Sequence, residues 1–461
     1  MPLSHEIVQA IRQRQKKGLP EEIREKVILH ICDTIGISLA ANKGAPIALQ
    51  SIAGLSIGVK GGTGRIIGSE QRLPPAYAAF ANTALAHALD YDDINDLARI
   101  HPTPVTLAAA LAAADACDSR STDLITAVGL GNELLCRLGY AIEPRGIGVD
   151  SKWFLSQLFG YLGAAITAGL VLGLDDKELV HALGLAYMQA AGGKEPGVGT
   201  GSQARSIYPA FSSMGGVQAA FLAREGVSAP ASCLDGKTGL FLNYFGKNLN
   251  EKQRSVLLDT ETWAFSDTSI KLYPSCRYSH PFIKSALILR KHFRLNEIEQ
   301  IVIGVNETAD MLCQPLEERC HPKTLQDAKF SIPFMVAFGL VHGSVDLNNL
   351  TETALLDTQV LDLTTRIKIE QTQADTPGIP LGDIKIVTAH ETKRQVERIL
   401  PETPYDEVKK KFIECCQYAD LADSELMWEE LSHNLDFEKL NRLPIIIHKN
   451  LYGRSTNSVK H

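Results

Sequence analysis

Residues 300–305 (QIVIGV) mark a change in the character of the chain, because β-branched residues dominate there after a long helical pattern. Runs of this kind are typical of buried strands. Two similar runs follow at residues 366–370 (RIKIE) and 383–388 (DIKIVT), and helical stretches lie beside them at residues 279–293 and 332–341. Short strands interspersed with helices predict a small α+β domain in this part of the chain.

The chain on both sides of this region has a helical pattern. From Ile23 to Leu39 an isoleucine, valine or leucine recurs at four-residue steps, as it does along one face of a helix. Ser121 is a candidate N-cap, and Asp175 followed by Glu178 has the spacing of a capping box. The other segments predicted as helices are residues 75–90, 104–117, 121–138, 155–174, 176–191, 408–418 and 424–434.

The length of the chain, 461 residues, exceeds what one hydrophobic core usually holds, which indicates two domains. The simplest arrangement is a mainly α fold with an α+β insertion, in which the C-terminal helices return to the first domain. We therefore expect a large helical domain made of residues 1–264 and 400–461, and a smaller α+β domain made of residues 265–399.

Composition excludes several classes of protein. The formal net charge of −7 argues against a general binder of nucleic acid or of anionic membranes, although a local pocket can still be positive. The nine cysteines are odd in number and form no CxxC pair, so we expect reduced thiols in the cytoplasm rather than disulfides or a zinc cluster. The apolar residues 155–174 include several glycines and polar residues, which favours a buried helix over a membrane span.

Residues 87–93 (HALDYDD), followed by His101 and Pro102, form the richest cluster of titratable groups. His87 and Asp90 are three residues apart and would share one face of a helix. An aspartate beside a histidine can select the ring tautomer and raise its basicity, as proton transfer requires. Pro102 ends any helix after His101 and would present that imidazole from a loop. The alternative is a solvated acidic loop with one hydrogen-bonded histidine.

A second cluster, residues 271–281 (KLYPSCRYSHP), lies at the predicted start of the second domain, and ligands often bind in clefts between domains. Lys271 and Arg277 could pair with the carboxylates of a substrate, Arg277 in a bidentate manner. The alternative is a surface turn with solvated cations. Cys276 is expected to be a packing cysteine rather than a nucleophile, because nothing near it in sequence marks it as a thiolate.

A third cluster, residues 203–210 (QARSIYPA), follows a glycine-rich run at residues 197–202. A phosphate-binding loop is excluded because no strand precedes the run and its spacing matches neither GxGxxG nor GxxxxGK[ST]. A loop that carries Arg205 towards a ligand is the better interpretation. Residues 327–333 (DAKFSIP) either line the same cleft or cap a helix.

In this order, and along almost the whole chain, these segments resemble the MmgE/PrpD family, which includes dehydratases, decarboxylases and epimerases of small carboxylic acids. The most specific parts are HALDYDD with His101 and Pro102, KLYPSCRYSHP, and DAKFSIPF. Each motif is weak alone, but the ordered set is specific. The resemblance implies a large helical domain with a smaller α+β domain, a homodimer, and catalysis without a metal or an organic cofactor.

The resemblance also implies roles for individual residues. Asp90 and His101 match the acid/base region of the family, and Lys271 matches a lysine of its active site. Arg205 falls where several members have lysine, which keeps the charge but changes the geometry. The other residues expected to contact the substrate are Tyr208, Asp93, Cys276 and Arg277.

Four positions depart from the pattern of a decarboxylase in this family. Phe154 and Cys276 each stand in place of an active-site histidine. Ile94 replaces a threonine that often follows the paired aspartates, and Phe334 replaces a frequent tyrosine. Each change removes a polar group that would hold a substrate, so the set of acids that can bind is expected to differ.

Together these features predict a lyase without a cofactor that removes a proton next to a carboxylate of a small anionic di- or tricarboxylic acid, most simply a dehydratase. Lys271 and Arg205 would bind carboxylates, and His101, oriented by Asp90, would move the proton. Epimerisation or decarboxylation at the same site is one alternative, and a non-catalytic relative that binds a carboxylate or a protein is another. A third is a metal-dependent hydrolase with the ligands His87, Asp90, Asp92 and His101.

Overall fold

A computed structural model of the chain describes residues 1–117, 121–142, 152–195, 202–372, 379–399, 402–440 and 443. The helices in these residues are α1 (Leu3–Lys17), α2 (Glu21–Gly44), α3 (Pro46–Leu55), α4 (Pro75–His87), α5 (Thr103–Asp115), α6 (Leu124–Ala141), α7 (Leu155–Leu172), α8 (Asp176–Gln189), α9 (Ala210–Arg224), α10 (Leu240–Phe245), α11 (Glu251–Leu258), α12 (His280–Leu289), α13 (Glu307–Asp310), α14 (Leu316–Cys320), α15 (Leu325–Lys329), α16 (Ile332–His342), α17 (Thr358–Thr364), α18 (Tyr405–Tyr418), α19 (Ser424–Asn434) and α20 (Phe437–Leu440). The strands are β1 (Gly64–Ile66), β2 (Ser69–Leu73), β3 (Ile94–Asn95), β4 (Thr268–Ser269), β5 (Ile298–Val305), β6 (Ile367–Gln371), β7 (Gly382–Thr388) and β8 (Thr392–Glu397).

Helix α7 lies at the centre of the helical part, where it packs against α5, α6, α8 and α9. By length and composition it could cross a membrane, but most of its residues are buried against these neighbours. Small residues allow the close contact with α9, since a Cβ atom added to Gly216 would lie 2.4 Å from the Cβ atom of Ala164. The prediction that residues 155–174 form a buried core helix is confirmed.

The C-terminal helices pack on the same core as the N-terminal ones. Phe412 of α18 and Trp428 of α19 are fully buried in one cluster with Ile31 of α2. Lys411, next to Phe412, is also buried, and its Nζ atom lies 2.7 Å from Oδ1 of Asp33 on α2. The chain therefore leaves the helical core and returns to it, whereas the domain boundaries drawn from the sequence stay predictions.

The second core forms around a four-stranded sheet with the strand order β6-β5-β7-β8. Strand β5 pairs parallel with β6 and antiparallel with β7, so that Ile303 on β5 lies opposite Ile369 and Ile384. Helices α12 and α16 pack against each other, and α12 also covers β7 and β8. The predicted fold class, mainly α with an α+β part, is confirmed.

The ends of the helices and the short strands confirm some of the expectations and correct others. Asp123, rather than Ser121, caps α6, because its side chain accepts a hydrogen bond from the Thr126 amide. The capping box before α8 is confirmed: the Glu178 amide donates to Oδ1 of Asp175 at 2.8 Å, and the Asp175 amide donates to Glu178. The hairpin of β1 and β2 and the edge strand β8 are not predicted from the sequence, since polar residues dominate β2 and β8.

A short pair of strands connects the loop after α4 to the start of the second domain. Strand β3 pairs antiparallel with β4, and Ile94 lies opposite Ser269. Because the chain continues directly from β4 to Lys271, this pairing places residues 87–93 beside that lysine. Two segments far apart in sequence thereby form one site.

Candidate active site

The candidate active site forms where helix α4 ends. The helix stops at His87, and Asp90 adopts a left-handed backbone conformation with a φ of 55°, which aspartate tolerates better than most residues. This turn brings the ring centroids of His87 and His101 to 5.1 Å from each other. The backbone amide of His101 donates to Oγ of Ser156 on α7 at 2.9 Å, which anchors the loop to the helical core.

Asp92 joins the two histidines. Its Oδ2 atom lies 2.7 Å from Nδ1 of His87 and 3.2 Å from Nδ1 of His101. Burial opposes ionisation of this carboxyl group, but the two imidazoles outweigh burial and hold the pKa of Asp92 well below its usual range. Asp92 is therefore ionised. It is Asp92, and not Asp90 as predicted, that contacts the His101 ring.

The contacts of His101 select one tautomer of its ring. Its Nδ1 atom lies 2.7 Å from the backbone carbonyl oxygen of Asp93. A carbonyl oxygen only accepts hydrogen bonds, so Nδ1 carries a proton and the lone pair is on Nε2. The His101 side chain is 14% exposed, whereas the His87 side chain is only 2% exposed. Of the two histidines, His101 is therefore the better candidate for exchanging a proton with a ligand.

Three buried lysines donate to the backbone just beyond the end of α4. Carbonyl oxygens at the C-terminal end of a helix carry partial negative charge and attract cations. Lys271 also lies 3.9 Å from Oδ1 of Asp92. Sequence reasoning offered residues 327–333 as a cleft lining or a helix cap without a role for Lys329, and it did not place Lys411 near this turn. The Nζ-to-oxygen distances are 2.9 Å for Lys329 to Leu89, 2.9 Å for Lys271 to Asp90 and 2.7 Å for Lys411 to Tyr91.

The carboxylate of Asp90 contacts the second domain. Its Oδ2 atom accepts a hydrogen bond from Nε2 of Gln326 at 2.6 Å, and Oε1 of Gln326 accepts one from Ser206 at 3.3 Å. Burial opposes ionisation of Asp90, but the charges of Lys271 and His87 lower its pKa below the ordinary value. Asp90 is thus an ionised group that links the helical part to α15.

Arg205 lies between two aromatic rings, one from each part of the molecule. Its Cζ atom is 3.8 Å from the ring centroid of Phe330 and 5.3 Å from that of Phe154. Phe154 stacks on Tyr208 at 4.3 Å, and Tyr208 meets His87 edge to face at 4.9 Å. The rings orient the plane of the guanidinium group. Burial raises the pKa of Tyr208 well above its ordinary value, so its phenol stays protonated.

Two residues predicted to contact the substrate have polar groups engaged within the protein. Nε of Arg277 lies 3.2 Å from Oδ2 of Asp96, and Nη2 of Arg277 donates to Ser269 at 2.7 Å. Asp93 is fully buried, and its Oδ2 atom lies 2.8 Å from Nδ1 of His30. These contacts favour structural roles for Arg277 and Asp93 in place of the predicted contact with substrate.

The remaining predicted residues divide between the site and the core. Cys276 lies beside Lys329, whose carbonyl oxygen accepts from the Cys276 amide at 3.0 Å. Burial raises the pKa of the Cys276 thiol, so it stays protonated, as expected of a packing cysteine. Phe334 is fully buried in the second core. Residues 197–201 of the glycine-rich run lie outside the described residues.

His87, Asp92 and His101 also place three potential metal-ligand atoms within 4.8 Å of one another. In both rings, however, Nδ1 donates its proton to an oxygen acceptor of the protein. A metal bound at these nitrogens would have to displace both protons and separate the carboxylate from the rings. The two Nδ1 atoms therefore serve as hydrogen-bond donors, and the metal-dependent alternative would have to use the Nε2 atoms.

Two family models match the chain: the MmgE/PrpD N-terminal domain over residues 5–253 and the MmgE/PrpD C-terminal domain over residues 273–436. Among characterised proteins, the chain is 25% identical over 324 residues to the cis-aconitate decarboxylase of Mus musculus and 26% identical over 322 residues to that of Homo sapiens. These alignments cover 67% of this chain, but only 63% and 64% of the two relatives. A cis-aconitate decarboxylase-like protein of Aspergillus oryzae is 24% identical, with 95% of this chain and 92% of that protein covered.

Proposed function

Because the chain belongs to the MmgE/PrpD family, as its motifs indicate, we propose that it is a lyase acting on a small tricarboxylic acid. The arrangement of His101 supports this most directly. Its Nε2 atom carries the lone pair, Asp92 and a backbone carbonyl hold its Nδ1 proton, and Lys271 lies close to the same carboxylate. A base held in this way beside a buried ammonium is suited to removing a proton next to a carboxylate group.

Binding of the substrate relies on cations that the site already holds. Lys271 and Arg205 are our candidates for contacting the carboxylates, and two aromatic rings orient the guanidinium plane of Arg205. These charges also stabilise the enolate-like state that forms when the substrate loses a proton. The overall charge of the chain is negative, so the local positive charge is a property of the site.

Dehydration of a hydroxy acid fits the groups present. His101 Nε2 takes the proton from carbon, the electron pair forms the double bond, and the bond from carbon to the hydroxyl oxygen breaks. The departing hydroxyl needs a proton to leave as water. Tyr208 is a protonated phenol in the same cluster, and it is our candidate for that proton donor.

Decarboxylation is the second candidate, because the named relatives are cis-aconitate decarboxylases. In that reaction the bond from carbon to the carboxylate breaks, CO₂ leaves, and a protonated His101 returns a proton to carbon. Epimerisation would instead return the proton to the opposite face of the same carbon. In all three reactions negative charge develops on carbon, so one set of cations can support any of them.

Proton NMR in D₂O tests the proposal with citrate, isocitrate and cis-aconitate as substrates. Deuterium entering a position next to a carboxylate reports proton transfer. A change in the amount of aconitate reports dehydration or hydration, and CO₂ release reports decarboxylation. His101→Gln is the test variant, and His321→Gln, at an exposed histidine of the second domain, is the matched control. A wild-type chain that neither exchanges nor converts any of these acids would refute the proposal.

The homodimer, the cytoplasmic location and the independence from cofactors stay predictions. Light scattering after gel filtration measures the mass in solution and tests the dimer. Activity that persists after dialysis against a chelator would support catalysis without a metal. Activity lost on chelation and restored by Mn²⁺ or Zn²⁺ would favour the metal-dependent hydrolase instead. Thermal stabilisation by tricarboxylic acids without any turnover would favour the non-catalytic relative.

A further inference from the structure

Lys329 is a buried cation that the proposed mechanism does not use. It is the last residue of the short helix α15 and is 4% exposed. Its Nζ atom donates to the carbonyl oxygen of Leu89 at 2.9 Å. The lysine thus reaches from the second domain to the turn that carries Asp90 and Asp92.

At that turn Lys329 and Lys271 donate to neighbouring carbonyl groups. The carbonyl groups that accept from the two ammonium groups belong to consecutive residues, Leu89 and Asp90, whose Cα atoms are about 3.8 Å apart. Two buried like charges repel each other. Two carboxylates offset part of this repulsion: Asp90, one of whose oxygens also accepts from Gln326, and Asp92, which lies 3.9 Å from Lys271 and is shared with two histidines. A carboxylate that accepts from both ammonium groups would reduce the repulsion further.

On the basis of the proposed function, we propose that Lys329 is a second substrate-binding cation, which binds one carboxylate of a tricarboxylic acid together with Lys271. Each ammonium group has three N–H donors. Among the described residues, one backbone carbonyl oxygen lies within hydrogen-bond distance of each Nζ atom. Both lysines can therefore also donate to the two oxygens of a carboxylate.

The residues around Lys329 contact the same site. Gln326, on the same short helix, donates to Asp90, and Phe330, which follows the helix, packs on Arg205. One turn of the second domain thus brings a cation, an amide and an aromatic ring to the site. Helix α15 forms a wall of the site, and Lys329 is the cation of that wall.

The charge of Lys329 depends on pH near neutrality. Burial lowers the pKa of Lys329 to about 8, while Asp90 and Glu352 raise it and Lys271 lowers it. The ammonium form predominates below this pKa, and the neutral amine above it. Affinity for a tricarboxylate should therefore be highest below about pH 8 and should fall as the pH rises through that value.

Calorimetry with tricarballylate, a tricarboxylate with neither a hydroxyl group nor a double bond, tests this role. Lys329→Met removes the charge and keeps an apolar stem, and we expect binding to weaken about 10- to 100-fold, as for the loss of one charge-assisted hydrogen bond. Lys411→Met is the matched control, since Lys411 is also buried and donates to a carbonyl of the same turn but pairs with Asp33. The affinity of the Lys411→Met variant for tricarballylate should change less than about threefold.

If Lys329→Met and Lys411→Met weaken the binding of tricarballylate equally, Lys329 acts only by holding the turn. That result would overturn the inference. The wild-type chain gives a second measurement that does not depend on how the variants fold. Raising the pH from 7 to 9 should weaken binding about tenfold as Lys329 loses its proton. A dissociation constant that stays the same over this range would overturn the inference as well. A wild-type chain that never binds tricarballylate would instead contradict the proposed function.

Discussion

Two neighbouring aspartates, Asp92 and Asp93, point into different regions of the molecule. Asp92 faces the candidate active site, where it contacts the ring of His101. Asp93 faces the helical core, where its Oδ2 atom accepts hydrogen bonds from His30 and from the hydroxyl of Thr103. Both aspartates are fully buried and both bind an imidazole. Neither burial nor the type of partner therefore separates a functional aspartate from a structural one.

The surroundings of the two imidazoles do separate them. The His30 ring packs edge to face on Phe265 at 4.9 Å, and burial lowers the pKa of His30 even though Asp93 raises it. His30 is thus a neutral ring that joins elements of the core. His101 is partly exposed and lies near Lys271. Access to the free ring nitrogen, more than the aspartate–histidine pair itself, is therefore what makes His101 our candidate base.

The strongest loss is expected for His101→Gln, which removes the proposed base. Turnover of the tricarboxylic acid should fall about 10²- to 10⁴-fold, the usual contribution of a general base. Stability should change little, because a glutamine amide can still donate to the Asp93 carbonyl oxygen. Steady-state kinetics and thermal denaturation measure the two effects. His30→Gln is the counterpart in the core. It should lower the melting temperature more, and turnover less, than His101→Gln does.

If His101→Gln kept the turnover of the wild type, His101 would have no part in proton transfer. If His30→Gln were the variant that lost turnover at normal stability, the assignment of the two regions would be reversed.

Asp93→Asn should destabilise the fold by about 3 kcal/mol, because an amide would turn a donor towards His30 or Thr103 and leave buried groups unsatisfied. Denaturant unfolding measures this change. Turnover per folded molecule should fall less than about tenfold, since the backbone carbonyl of Asp93 that holds His101 remains. A stable variant without turnover would place the Asp93 side chain in the mechanism after all.

Asp92→Asn should reduce turnover by about 10²-fold. The Asp93 carbonyl would still select the tautomer of His101, so the loss is limited to the charge that stabilises the protonated ring. The comparison of this variant with Asp93→Asn is closely matched, because the same substitution is made at adjacent residues. Measured turnover that is equal in the two variants would remove the distinction between the two aspartates.

The sequence predicts where this site lies but not how its aspartates divide their roles. The motif places His101 in a loop, and the family pattern places Lys271 in the active site. The pairing of Asp90 with histidine, however, assumes that the helix continues beyond His87. The helix ends there, and the left-handed conformation of Asp90 redirects the residues that follow, so that Asp92 meets the rings instead. A single backbone conformation of this kind leaves no periodic signal in the sequence.

Lys411 was missed, and Lys329 was given no role of its own, for a related reason. Lys411 ends a run of three lysines that is typical of a solvated helix face, yet its partner at Tyr91 is 320 residues away in sequence. Lys329 contacts Leu89 across 240 residues. Charge patterns identify local surfaces, whereas these contacts depend on the packing of segments that lie far apart in the chain. The fold class was predictable because it rests on local periodicity.

The smallest effect is expected for Ser156→Ala, which removes a contact that helps to position the His101 ring. Ser156 is buried, and its Oγ atom accepts from the backbone amide of His101 at 2.9 Å. Ser156→Ala leaves that amide without its acceptor at a cost of about 1 kcal/mol, so we expect turnover to fall about fivefold and the melting temperature to drop slightly. Kinetics at saturating substrate measures the loss.

Ser156 also acts on Tyr208, whose pKa burial raises and Ser156 lowers, so the result needs a second variant to assign it. If Ser156 acts through His101, its effect should add to that of Tyr208→Phe, because the two changes then touch different groups. If the double variant is no worse than Tyr208→Phe alone, Ser156 acts by orienting the phenol. The position of His101 would then depend on Asp92 and the Asp93 carbonyl alone, and the contrast with His30 would rest wholly on the access of a ligand to the ring.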